Sequence, residues 1–187
     1  MASGDNYYLV WPKTRPGGER LRRLSDFLRY SLYKDPIKKV PLQQEIYAAN
    51  LYLEIEKVRF TERLTIELDI AKNTELALVP SLILQPLVEN AIKYAVATQT
   101  AGGTISIKAR KFGHDLLIEV ADNGPGMPFD EGLPKDSGGV GLVNTRERLA
   151  ALYDKDFSLV LTHNQPQGVK VNIRIPFEVE LNDEELA

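Results

Sequence analysis

Leu84-Gln-Pro-Leu-Val-Glu-Asn-Ala-Ile-Lys93 decides how this 187-residue chain folds. Apolar residues at 84, 87, 88, 91, 92 and 95 recur at the three- and four-residue spacing of a helix with one buried stripe. The spacing predicts a helix over 81–97, with Pro86 near the first turn, where its missing N–H does no harm. Beside the stripe runs a polar edge of Gln85, Glu89 and Lys93, flanked by Asn90 and Tyr94. Taken alone, such an edge is most simply a solvated face. Two details point further: Asn is mildly unfavourable in mid-helix, and its amide oxygen is a suitable hard ligand for magnesium. Glu89, one step around, could orient or deprotonate a group attacking a phosphate.

Working outward, residues 63–70 alternate Leu64, Ile66, Leu68 and Ile70 against polar neighbours, as a half-buried strand does. Strands over 104–110 and 115–121 follow, joined as a hairpin by Lys111-Phe-Gly-His114. Residues 123–140 form a long loop rich in Gly and Pro, of the length that is usually functional. A helix over 141–153 and strands over 157–162 and 169–175 complete the run. Upstream, leucines at 21, 24, 28 and 32 mark a helix over 19–33 that Asp35-Pro36 stops. A second helix, over 42–58, is apolar along two lines, Ile46, Ala49 and Leu53 on one and Tyr47, Leu51, Ile55 and Val58 on the other. It therefore needs two partners, another helix and a neighbouring domain or subunit.

Two further clusters carry chemistry. Asp122-Asn-Gly-Pro-Gly-Met127 ends an apolar strand. As composition it is an ordinary tight turn; as a site, Asp122 would accept a hydrogen bond from an adenine amino group, Gly124 and Gly126 would let the backbone approach a purine, and Met127 would pack near the ring. Gly138-Gly139-Val140-Gly141 directly precedes a helix, so its N–H groups and the helix start could bind phosphate oxygens. No Gly-Lys-Ser/Thr follows, which excludes a Walker loop, and no βαβ start precedes it, which argues against a dinucleotide fold. Arg146 and Arg148 are equally readable as phosphate contacts or as ion-pair residues. His114 and His163, both in turns, are surface residues.

Composition narrows the classes. Net charge is −3, with 23 Lys+Arg against 26 Asp+Glu, so no basic field marks a nucleic-acid or anionic-membrane binder. Cysteine is absent, which removes disulfides and thiolate chemistry and is compatible with a cytosolic compartment. The longest uncharged apolar stretch, 76–88, contains two prolines and is too short to span a membrane. Residues 1–19 read as a flexible lead-in or an expression remnant, and 178–187 as an acidic tail.

Jointly the three clusters resemble the ATP-binding boxes of the gyrase, heat-shock chaperone, histidine kinase and MutL superfamily, and are most similar to sensor histidine kinases of the LytS/YehU-like class. The resemblance extends to Leu24-Ser-Asp-Phe-Leu-Arg-Tyr-Ser-Leu32 and Tyr52-Leu-Glu-Ile-Glu-Lys-Val-Arg-Phe60, which look like the helical region preceding that ATPase domain. It implies an α+β fold, a two-layer α/β sandwich of the Bergerat type with a mixed sheet and helices on one face. A helical dimerisation-type segment at 20–60 would precede a catalytic domain at 61–177. It further implies ATP and Mg²⁺ as cofactors, Asn90 on the metal, Glu89 assisting phosphoryl transfer and Lys93 meeting phosphate. Tyr94, Asp122, Gly124, Gly126, Met127, Gly139, Val140, Gly141, Leu142 and Asn144 would surround the nucleotide, and 128–140 would form a lid. Implied partners are a second copy through the 20–60 helices and a response regulator for a membrane-anchored parent, with this piece cytoplasmic and touching neither nucleic acid nor membrane.

Three departures stand out. The class carries its phosphoacceptor histidine upstream of the Leu24 segment, yet this chain has no histidine before His114. Unless another subunit supplies the acceptor, this polypeptide should bind ATP without phosphorylating itself. Val169 follows Gly168 where relatives often have Thr, removing a hydroxyl whose hydrogen bond is typically worth about 1 kcal/mol, and Tyr94 stands where histidine is common. Two other functions share the ATP boxes: a non-catalytic ATP-gated interaction module, and an anti-sigma-type serine kinase, against which the Leu24–Phe60 likeness argues.

Overall fold

A computed structural model describes residue 25 and residues 38–126 and 140–180. In chain order the elements are β1 (Lys39–Pro41), α1 (Leu42–Phe60), β2 (Leu64–Ile70), β3 (Leu78–Pro80), α2 (Gln85–Ala91), β4 (Gly103–Phe112), β5 (Asp115–Asp122), α3 (Val140–Tyr153), β6 (Ser158–His163) and β7 (Val169–Pro176). The helix expected over 19–33 and most of the loop expected over 123–140 lie outside the described residues.

Five strands form one sheet in the order β2-β4-β5-β7-β6. Only β2 and β4 pair in parallel, Leu64 opposite Gly103 through Ile70 opposite Ala109; the other three ladders are antiparallel. The sheet is therefore mixed, because α2 lies in the crossover between its two parallel strands. Alternation separates its faces. Ile105, Ile107, Leu116, Ile118, Leu161, Ile173 and Ile175 are buried on the inner face against the helices. The outer face carries ion pairs, with Glu119 held between Lys108 (3.4 Å) and Lys170 (3.2 Å), Asp69 paired with Arg110, and Arg174 meeting Asp115 at 3.0 Å. Two layers, sheet and helices, enclose one core, as the resemblance implied.

The core includes the segment before β2: Val40, Leu42, Ala49, Leu53 and Phe60 belong to the same buried cluster as the sheet. On α1 the Ala49–Leu53 line is buried, whereas the second line is only partly covered, with Tyr47 53% and Val58 50% exposed.

Two differences from the sequence reading concern the Leu84 helix. It begins at Gln85 rather than Ser81, since Ser81–Leu84 form a non-helical turn in which Leu82 has φ 60°. From Ile92 to Val96 it widens into a π turn, the Ala97 N–H reaching back to the Ile92 carbonyl at 3.0 Å. Such turns insert one residue into a helix and recur at functional sites. A small sheet, β1 antiparallel to β3, was not expected from the sequence; it is extended by a bridge between Ala77 and Val179.

Candidate functional site

Between α2, α3 and the ends of β5, β6 and β7 lies a cavity of ≈ 160 Å³. Its lining is mostly apolar: Leu87 and Ala91 from α2, Val120 from β5, Leu142 from α3, Leu161 from β6, and Val169 and Val171 from β7. Asn90, Tyr94, Thr98 and Asp122 supply the polar groups, and Pro125 and Gly126 the rim. An apolar slot with a few fixed polar groups suits a flat heterocycle.

The position of Asp122 follows from its neighbours. It is the last residue of β5 and only 8% exposed. Its Oδ1 accepts the N–H of Gly124 at 2.8 Å and that of Val169 at 3.3 Å. Burial pushes its carboxyl above the usual carboxylate range, and the two backbone donors pull in the opposite direction. Two glycines make the approach sterically feasible. A Cβ on Gly124 would stand 2.7 Å from Ala95 Cα, and one on Gly168 only 1.9 Å from the Asp122 carbonyl, where φ is already +116°. The same carbonyl accepts Asn164 Nδ2 at 2.8 Å. Next to it, Asn123 Oδ1 accepts the Thr104 N–H at 2.7 Å and ties the end of β5 to the start of β4.

Of the residues singled out by sequence, Asn90, Tyr94, Asp122, Gly126 and Leu142 converge on this cavity. Glu89, Lys93, Gly124, Gly141 and Asn144 are outside its lining. Glu89 is exposed and accepts Gln85 Nε2 at 2.8 Å. It also acts on α1: burial, then the charges of Glu56 and Glu89, push the Tyr52 hydroxyl up to about 12. Lys93 is exposed with its ammonium 4.8 Å from the centroid of the Tyr94 ring. Gly141 packs on the first turn of α2, where a Cβ would come within 3.1 Å of Pro86 Cβ. Val140 opens α3, and Asn144 is exposed on it. Met127 and Gly139 lie outside the described residues. The alternatives for Arg148 resolve toward structure: its Nη1 donates to the carbonyls of Ser81 at 2.7 Å and Leu82 at 3.1 Å. Arg146 is exposed.

Sequence reasoning missed Thr98, Leu161 and Val171 as lining, and Asn123 and Asn164 as struts, whereas Val169, singled out for its missing hydroxyl, does line the cavity. Thr98 carried a signal, lying four residues after Tyr94 on the same helical line. The others depend on strand pairing that no local pattern reveals.

A mixed five-stranded sheet with helices on one face and a slot between the layers is the architecture of histidine kinase catalytic domains. The solved catalytic domain of histidine kinase ThkA superposes with a TM-score of 0.60 at 18% identity, covering 76% of this chain and 98% of that one. Acinetobacter baumannii histidine kinase AdeS gives 0.59 at 21% identity over 86% of this chain and 77% of its own. Residues 77–179 match the model of the histidine kinase-, DNA gyrase B- and HSP90-like ATPases, and 12–64 match that of histidine kinases. The chain belongs to this ATPase family. Among its relatives are the sensor protein LytS of Staphylococcus saprophyticus, 34% identical over 85% of this chain, and the sensor histidine kinase YesM of Bacillus subtilis, 38% identical over 76%. The matches span only 28% and 25% of those proteins. The chain is thus similar to their ATP-binding catalytic domain. Among the described residues no helix is long and apolar enough to cross a membrane.

Proposed function

We propose that the chain binds Mg-ATP in the cavity between α2, α3 and the sheet and transfers the γ-phosphate to a histidine supplied by another polypeptide or segment. One observation carries this reading: Asn90, Asp122 and Leu142, from three separate stretches, share a single slot. Asp122 would accept the adenine amino group, with Leu87, Ala91, Val120 and Val171 clasping the ring. Asn90 would offer its amide oxygen to Mg²⁺, which neutralises phosphate charge when bound. No group of three or more His, Cys, Asp or Glu residues that could hold a metal occurs among the described residues. Magnesium in such sites usually takes one or two protein ligands and completes its shell with substrate phosphates and water, so a single amide oxygen fits. Glu89, exposed one step around the helix, would orient the attacking imidazole, and Lys93 would meet phosphate. Gly124 and Gly126 would let the backbone approach the purine, and Tyr94 would flank the nucleotide at the cavity. Met127, Gly139, Val140, Gly141 and Asn144 complete the proposed surroundings.

The partly open face of α1 supports dimerisation through residues 20–60. The parent is proposed to be a membrane-anchored sensor whose cytoplasmic catalytic piece passes phosphate to a response regulator. Magnesium-dependent ATP titration of wild type, Asn90→Ala and Asp122→Ala tests the site. Both variants should lose at least tenfold in affinity, and wild-type binding by both would refute the assignment. Acid-labile label on an added acceptor domain after incubation with labelled ATP is the expected sign of transfer to histidine. Acid-stable label on Ser would indicate the serine kinase instead.

A further inference from the structure

Glu45 is a charged side chain of α1 that is only 1% exposed. Its Oε1 accepts the N–H of Leu82 at 2.8 Å, and its Oε2 accepts those of Ile83 at 2.9 Å and Leu84 at 3.3 Å. These N–H groups lead directly into α2, where a helix start leaves donors without internal partners. Arg148 of α3 donates to the Ser81 and Leu82 carbonyls of the same turn. Burial pulls the Arg148 guanidinium down from its ordinary range, and the Glu45 charge pushes it back. Leu82, held between the two, has φ 60°, a left-handed conformation that leucine keeps only where its surroundings over-determine it. A buried carboxylate, a strained turn and a guanidinium therefore join three helices at the point where α2 begins. Six residues beyond Leu84 on α2 is Asn90, and six before Arg148 on α3 is Leu142, both lining the cavity.

We infer that Glu45 is a positioning residue of the nucleotide site: by holding the turn at 82–84 it sets where α2 presents Asn90 and Tyr94, and it makes α1 a working part of a pocket that α1 does not line. The inference rests on the reading of that cavity as the ATP site. Coupling of this kind is reciprocal, so nucleotide must in turn steady the turn that Glu45 holds.

The test uses the full chain with Mg-ADP as the probe. Glu45→Gln keeps the size of the side chain but replaces one acceptor oxygen with a donor, and should weaken binding at least fivefold, measured well below its melting temperature. Glu45→Ala should weaken it further. A residue needed only for packing would lower the melting temperature and leave the affinity of the folded protein unchanged. In the wild type, Mg-ADP should slow hydrogen exchange at the Leu82, Ile83 and Leu84 amides; in Glu45→Gln that slowing should vanish while it persists near Asp122. Wild-type affinity in Glu45→Gln, or wild-type exchange at 82–84 that nucleotide leaves unchanged, overturns the inference even if Glu45→Ala does not fold. A wild-type chain that binds no Mg-ADP overturns the ATP reading itself, and this inference with it.

Discussion

In the proposed site Asp122 would face two opposing demands, since its burial favours the neutral acid whereas an adenine amino group would need the carboxylate. Two backbone N–H groups aimed at one oxygen oppose the effect of burial without cancelling it. Because burial raises its carboxyl on balance, the group's contribution to stability is full at low pH and is lost as pH rises from the ordinary carboxylate range to the raised value. Asp122→Asn should therefore show unchanged or higher thermal stability at neutral pH and a flatter acid limb in melts taken across pH. Its affinity for ATP should nonetheless fall at least tenfold, in line with about 1.5–3 kcal/mol for a hydrogen bond to a charged group. Calorimetric titration and melting curves on the same sample separate the two effects. Gly168→Ala fails differently: a Cβ 1.9 Å from the Asp122 carbonyl forces the β6–β7 turn aside. A loss of about 2 kcal/mol or more in denaturant unfolding, together with weaker ATP binding, is expected.

Among the elements, α1 and α2 meet through polar groups as well as apolar ones. Tyr52 of α1 is pushed up to about 12 by burial first and then by Glu56 and Glu89, so its neutral form is favoured in the folded chain. Stability should be full below pH 10 and fall between pH 10 and about 12, as the unfolded phenol ionises before the folded one. Tyr52→Phe should flatten that alkaline limb in unfolding titrations, and a variant as pH-sensitive as wild type would refute the link. The same interface shows what sequence could and could not reveal. Every residue of the stripe from Leu84 to Ala95 is buried because helical period is a local property. The start of α2 was not legible, since the turn at Leu82 is held by Glu45 some 37 residues earlier. Likewise β1 and β3 are three residues each and depend on partners distant in sequence, one another and the Glu178–Val179 segment. Asn90, Tyr94 and Asp122 were legible as motif positions, whereas Leu161 and Val171 join the pocket through the ladders of β6 and β7.

At the scale of the whole molecule, the segment before β2 shares the buried core through Val40, Leu42, Ala49, Leu53 and Phe60. Burying one such large side chain contributes roughly 1.5–3 kcal/mol, and a domain's net stability is only about 5–15 kcal/mol. A chain beginning at residue 61 should therefore lack a cooperative thermal transition, which circular dichroism would report. Retention of a sharp melt in that shortened chain would show that the helical segment is dispensable.

The polar outer face of the sheet gives the domain a back and a front. Its rear wall, laced by Glu119 between Lys108 and Lys170, offers water a well-solvated surface and offers a visiting protein little grease to grip. The proposed acceptor would therefore approach from the helical side, the layer that carries Glu89 and Asn90.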